Sequence, residues 1–386
     1  AEGNAGLKFS PSDDFNGTAS FKLQASLSSD DDGLGGDVVI ASVTVTAVND
    51  VPSFTVGSDQ TVLEDAGSQT VTGWATAIST GPTDESSQTL TFNISGVNAG
   101  LFSVQPSVTS AGDLSYTPAD DVHGSDTVTV TLSDNGGTEN GGVDTSDPQT
   151  FTITIDPVAD TPDITGTTTL EDIQSDTGLV ITRNTVDGEE VTHFKITDIT
   201  EGTLYQNDGT TQIGDDNFIT YAEGNAGLKF SPSDDFNGTG SFKLQASLSS
   251  DDDGLGGDVV TASIIVTAVN DIPVLLVIGD QVTVEDSTIT ISLTATDVDI
   301  FTDGQNLTFS AISFDSSLII PSTTSTGDST GTLTLMIQSN QNGSAEIEVT
   351  VDDGNEGADE ETFTLTVDPV NDPVTLLSAI DDDVVD

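Results

Sequence analysis

The chain has 386 residues, enough for two to four ordinary domains. Its 65 acids against 6 bases leave a formal net charge of -59, which excludes nucleic acid and an anionic membrane as natural partners. There is no cysteine, so disulfides and thiolate-bound zinc or iron–sulfur centres are excluded, and no apolar run approaches the ~20 residues of a membrane span.

Ala1-Glu2-Gly3-Asn4 is no signal peptide and reads as the start of a fragment cut from a longer chain. Ala1 to Pro52 recurs as Ala222 to Pro273, with differences only at Ala19/Gly240, Ile40/Thr261, Val43/Ile264, Thr44/Ile265 and Val51/Ile272. A looser repeat is marked by the linkers Val48-Asn49-Asp50-Val51-Pro52, Val158-Ala159-Asp160-Thr161-Pro162, Val269-Asn270-Asp271-Ile272-Pro273 and Val370-Asn371-Asp372-Pro373. Their spacing of roughly 100–110 residues fits one small domain each. The expected organisation is half a domain (1–50), three domains (51–159, 160–271 and 272–371) and the start of another (372–386).

Within each unit the apolar pattern has period two. In chain order, Val128, Val130 and Leu132 alternate with threonines, as do Phe151, Ile153 and Ile155. Phe242, Leu244, Ala246 and Leu248 are expected on one face, with Lys243, Gln245 and Ser247 opposite. Ile289, Ile291 and Leu293, then Phe363, Leu365 and Val367, follow the same rule. Threonine and valine favour strands, Gly/Asp/Asn/Ser clusters separate them, and no long helix is visible. The fold class read here is all-β: tandem antiparallel β-sandwiches strung into an elongated rod.

Four acidic motifs recur in register. The first follows each linker: Glu64-Asp65, Glu171-Asp172 and Glu285-Asp286. The second sits in Pro-x-x/Asp-Asp-x-x-Gly settings: Asp13-Asp14, Asp120-Asp121 and Asp234-Asp235. The third is the linker. The fourth comprises mid-domain and late loops, with Asp297-Val298-Asp299, Asp352-Asp353 and Asp251 to Asp253 as examples. Turn chemistry accounts for scattered aspartates such as Asp144 and Asp328, but not for acids that keep step with the linkers. Calcium takes about six to eight carboxylate and carbonyl oxygens, which converging sandwich loops supply.

On these motifs the chain resembles the bacterial cadherin-like tandem repeats of giant RTX-type cell-surface adhesins. The resemblance implies Greek-key sandwiches of the cadherin or immunoglobulin type and several Ca²⁺ ions, mainly at the inter-domain junctions. At the junction around Asp50 it implies Asp13, Asp14, Asn49 and Asp50, joined by Asp84, Glu85 and Asp134. At Asp160 it implies Glu64, Asp65, Asp120, Asp121 and Asp160, joined by Asp187, Glu189 and Asp251. At Asp271 it implies Glu171, Asp172, Asp234, Asp235, Asn270 and Asp271, joined by Asp297, Asp299 and Asp353. Three departures stand out. Ala159 replaces the linker asparagine, so fewer ions are expected there; Asn340-Gln341-Asn342 replaces the acidic pair of the last domain; Thr83-Asp84-Glu85 stands in for the Asp-x-Asp loop.

The remaining signals are weak. Asp253-Gly254-Leu255-Gly256-Gly257-Asp258 looks like part of an RTX nonapeptide, but a single copy cannot stack and reads as a glycine-rich loop. Two histidines, His123 and His193, one tryptophan and one arginine form no nucleophile–base motif. Paired carboxylates would suit a glycosidase by residue type, yet their repetition argues against one active site. The function expected is a non-enzymatic, calcium-stiffened spacer, secreted to the bacterial cell surface, that projects a distal binding domain for adhesion and biofilm formation. The alternative is a calcium-dependent polysaccharide-binding module, disfavoured by the 5% aromatic content. Expected partners are the neighbouring repeats of the same chain and, through other domains, surface glycans or a host or abiotic surface. A monomer without membrane insertion is expected.

Overall fold

An apolar residue at every second position makes a strand with one buried and one wet face, and two such sheets must close on each other. The computed structural model describes residues 6–302 and 304–374, and they are almost entirely β. The expected tail 372–386 lies, from residue 375, outside the described residues.

The first element is an antiparallel hairpin, Gly17–Ser26 with Leu34–Val45, bulged between Leu23 and Ala25. Next come a four-stranded sheet in the order Gln60–Leu63, Gln149–Asp156, Gly124–Ser133, Thr91–Ser95 and a three-stranded sheet in the order Gln69–Val71, Leu114–Pro118, Phe102–Val108. Trp74, Phe102, Leu114, Tyr116, Val128, Val130, Leu132, Phe151, Ile153 and Ile155 fill the layer between them. Downstream, a five-stranded sheet runs Thr167–Leu170, Leu255–Thr267, Gly238–Ser247, His193–Thr200, Asn217–Thr220, beside a three-stranded sheet Gln212–Ile213, Gly202–Tyr205, Lys229–Pro232. The last pair is Val274–Leu275, Thr288–Thr296, Thr330–Ile337, Ile319–Ser325 and Gln281–Val284, Ala358–Asp368, Gly343–Asp352, Thr308–Ser313.

One connection recurs. After each linker a short strand pairs in parallel with the last long strand of its sheet: Gln60–Leu63 with Gln149–Asp156, Thr167–Leu170 with Leu255–Thr267, and Gln281–Val284 with Ala358–Asp368. The Glu-Asp motif that ends each short strand therefore lies next to the following linker. In the first case the chain reaches this edge past Gly57, where a Cβ would sit 2.3 Å from the Trp74 carbonyl oxygen, so only glycine fits.

The alternation holds for Phe242, Leu244 and Ala246, which are fully buried. It breaks at Ser247, which is buried instead of solvated; its hydroxyl accepts from the Ser249 N–H (3.3 Å) and donates to the Asp251 carbonyl (3.4 Å), which satisfies it inside the loop. Short helices appear at Tyr221–Asn225, closed by a Thr220/Glu223 capping box, and at Asp299–Thr302.

The residues divide into two compact units. One holds those up to Thr161 with Arg183–His193 and Ala246–Asp258; the other holds Pro162–Thr182, Phe194–Gln245 and those from Val259 onward. One strand of the second unit distinguishes its buried face from its wet one. Leu333→Ala, at a fully buried position, is expected to cost about 2–5 kcal/mol in denaturant unfolding. Met336→Ala, three residues on and 54% exposed, is expected to stay within ~0.5 kcal/mol. Equal costs would mean that the inner face is misassigned.

Candidate metal centres at the linkers

Each Glu-Asp motif does two things by hydrogen bonding. The glutamate Oε1 accepts the N–H of the linker valine: Glu64 from Val158 (2.8 Å), Glu171 from Val269, Glu285 from Val370 (2.6 Å). The aspartate turns into the left-handed region (φ 60° at Asp65, 59° at Asp172, 58° at Asp286), which Asp and Asn tolerate best among non-glycine residues. Its Oδ1 then accepts an N–H from the proline-linked motif: Asp65 from Asp121 (3.0 Å), Asp172 from Asp235 (3.0 Å), Asp286 from Asn340 (3.1 Å). Asn340 makes this last bond without a charge, so the turn itself does not require acid at that position.

The linker aspartate is held from the other side. The Asp160 N–H donates to Asp187 Oδ1 (2.8 Å), the Asp271 N–H to Asp299 Oδ2 (2.8 Å) and the Asp50 N–H to Glu85 Oε1 (2.9 Å). These bonds draw carboxylates into groups whose ligand oxygens lie within 4.8 Å of one another. Glu171, Asp271 and Asp299 form one group, Asp172, Asp235 and Asp271 another, and Asp65, Asp121 and Asp160 a third. Asp271 belongs to two of them.

Beside these groups runs an amide clasp. Asn49 Nδ2 donates to Asp134 Oδ1 (3.0 Å) while its Oδ1 accepts from Gln88 Nε2 (2.7 Å). Asn270 Nδ2 donates to Asp353 Oδ2 (2.8 Å) while its Oδ1 accepts from Gln305 Nε2 (2.7 Å). At Asp160 the clasp is missing: Ala159 brings no amide, and Leu248 follows its strand where Asp134 and Asp353 follow theirs. The glycine-rich loop packs there instead. A Cβ on Gly256 would lie 2.3 Å from the Ala159 carbonyl oxygen, and one on Gly257, itself at φ 65°, would lie 2.3 Å from the Thr161 nitrogen.

Not every expected ligand joins a group. Asp13, Asp14, Asp120 and Asp234 are exposed at the turns. Asp84 accepts a hydrogen bond from Asn16 Nδ2. Asp251 is exposed, with Ser249 Oγ donating to its Oδ1 (2.8 Å). Glu189 is exposed too; its neighbour Glu190 faces the junction and meets Glu64 and His123. Glu190 and His123 were not read as site residues. The legible signal was their position: Glu190 falls three residues after Asp187 as Gln88 falls three after Glu85, and His123 precedes a glycine where the other repeats have Asn16, Asn237 and Asn342.

The electrostatics follow from crowding. Burial, then the Asp187, Asp121, Asp65 and Glu64 carboxylates, push Asp160 up to about 6. Burial and neighbouring carboxylates also raise Glu171, Asp271 and Asp297. Burial raises Asp187, against opposing hydrogen bonds from Asp160 and Asn184. Asp353 goes the other way: burial favours its neutral form, but hydrogen bonds from Asn270, Asn355 and Gly357 more than offset it.

Whether these residues suit a metal ion is answered by atoms left over. Glu64 Oε2, Glu85 Oε2, Asp134 Oδ2, Asp187 Oδ2 and Asp297 Oδ2 are buried without a hydrogen-bond partner. A buried carboxylate oxygen with no donor is costly, and a hard cation satisfies several at once. The donor set, several carboxylates drawn together, fits such an ion.

A bacterial Ig domain family matches residues 270–366. Among solved structures, mouse cadherin-23 repeats EC22–24 align at 16% identity and TM-score 0.45, covering 83% of this chain and 100% of that one. Titin domains I67–I69, an E-to-A variant, align at 10% and 0.41, covering 83% and 99%. Drosophila N-cadherin EC1–4 aligns at 14% and 0.36, covering 91% and 84%. No curated protein matches the chain. The strand order makes the fold class all-β with tandem sandwiches, and the last of them carries the bacterial Ig match. No helix among the described residues is long and apolar enough to cross a membrane.

Proposed function

We propose that the chain is a calcium-rigidified spacer within a large bacterial surface adhesin, secreted by an RTX-type route, with domain boundaries at 51–159, 160–271 and 272–371. The observation that carries this reading is the convergence of carboxylates at the linkers, with Asp271 common to two groups; buried carboxylate oxygens without a hydrogen-bond partner elsewhere in the same loops support it. Calcium would neutralise the repulsion that this geometry builds in.

The residues divide the work. Glu64, Glu171 and Glu285 hold the linker backbone through the valine N–H, and Glu171 and Glu285 keep their second oxygen for calcium. Asp65 and Asp172 set the turn that brings Asp121 and Asp235 within reach. Asp187, Asp299 and Glu85, from the domain that follows each linker, hold the linker aspartate N–H. With an ion between them, the two sides of a linker lose their freedom to swing. Repeats locked in this way project whatever binding domain the adhesin carries, without themselves recognising a target.

The test is calorimetric titration of chelator-treated chain with CaCl₂, followed by small-angle scattering with and without the ion. Saturable binding, with a scattering profile that becomes stiffer and longer in calcium, is the expected result. A chain that takes up no calcium, or whose profile ignores it, overturns the reading.

A further inference from the structure

We propose that the junction at Asp160 holds a transition-metal site of a different class, formed by Glu64, His123 and Glu190 and suited to Zn²⁺. The proposal goes beyond the calcium reading and does not depend on it.

His123 Nδ1 lies 2.8 Å from Glu190 Oε2 and 3.8 Å from Glu64 Oε2, and the three ligand atoms fall within 4.8 Å of one another. Two ligands at tetrahedral angles around one zinc ion, each ~2.0–2.1 Å from it, lie about 3.3 Å apart. The two separations from His123 bracket that value, and the third lies within the 4.8 Å limit.

A second observation points to a ligand. Glu64 is 3% exposed, its Oε1 is committed to the Val158 N–H, and its Oε2 faces the imidazole with no hydrogen-bond partner. His123 is 47% exposed, which leaves a route from solvent and room for a water as fourth ligand. An imidazole nitrogen with two carboxylates suits zinc, copper or nickel, whereas calcium takes oxygen only.

The site also coincides with the place where the repeat departs from itself. Ala159 replaces the clasp asparagine, Glu190 stands where the first junction has Gln88, and His123 stands where the other repeats have asparagine. Three departures at one junction exchange a neutral amide network for a nitrogen–carboxylate set. A simple His–Glu ion pair would need only one carboxylate and would leave Glu64 Oε2 unexplained.

The test is calorimetric titration of the metal-free full chain with ZnCl₂ alone, compared with His123→Asn and His193→Asn. Asparagine is the residue that the other repeats carry at the first position, and an unchanged calcium-free melt certifies folding. The parent and His193→Asn are expected to share one tight zinc site above the weak carboxylate background, and His123→Asn to bind it at least ~100-fold more weakly, since loss even of groups that only orient a ligand costs about 10–100-fold. Co²⁺ in place of zinc should give the parent a visible spectrum of low coordination number, absent from His123→Asn. Equal zinc binding by the parent and His123→Asn, or a tight site lost in His193→Asn instead, overturns the proposal.

Discussion

In chelator-treated buffer the melting temperature is expected to fall, by at least about 3 °C, as pH rises from about 4 to about 7. Asp160 drives the effect, pushed to about 6 by burial and by the Asp187, Asp121, Asp65 and Glu64 carboxylates. A carboxyl whose folded value lies above its unfolded one favours the folded state in its protonated form. Its contribution is complete below the unfolded value of 3.8 and is lost as pH climbs through about 6. Glu171, Asp187, Asp271 and Asp297 are raised as well and act in the same direction. Glu190 is raised too, which makes six; Asp353, Asp208 and Asp315 are lowered from 3.8 and so act mainly below this pH window. Most soluble proteins lose stability towards pH 4, so this sign is diagnostic of crowded carboxylates. Calcium at pH 7 should do what protons do at pH 4 and flatten the profile. A melt that rises or stays level between pH 4 and 7 in chelator would remove the electrostatic basis of the spacer reading.

The second large effect is a reversal of sign in one variant. Asp271→Asn with Asp297→Asn removes two charges at one junction and keeps the oxygens that accept hydrogen bonds, including the one that Asp297 takes from the Asp299 N–H (2.9 Å). Without calcium the variant is expected to be more stable than the parent by about 1–2 kcal/mol, because buried repelling carboxylates are gone. In calcium at about a hundred times the dissociation constant, the parent gains ~2.7 kcal/mol for each independent site, and the variant forgoes that gain at this junction. The order of the two melting curves should therefore cross as calcium is added. Parallel curves, with the variant above or below the parent throughout, would mean that Asp271 and Asp297 bind no ion.

The acids that meet in space were legible one motif at a time, because each sits at a fixed step from its linker. Their partners were less so. The Glu189/Glu190 choice turns on which of two adjacent side chains faces the junction, and adjacent residues in an irregular loop carry no period to read. Gln88 and Gln305 complete the clasp from loops of unequal spacing: three residues after Glu85 in one case, six after Asp299 in the other. Ala159 was legible as a departure. That Gly256 and Gly257 close against it was not, since the contact joins positions ~100 residues apart.

Taken alone, the sequence determined the strands, their inward faces and the periodic acids, because each depends on local rules: alternation at period two, turn chemistry and recurrence at a fixed offset. Ser247 shows what it could not determine. Alternation places it on the outward face with Lys243 and Gln245, yet it is buried. Burial is a property of what packs against a face, and so are the raised carboxyls and the His123 contact. Tertiary structure decided them because charge repulsion and ligand geometry depend on distance in space, which chain spacing does not encode.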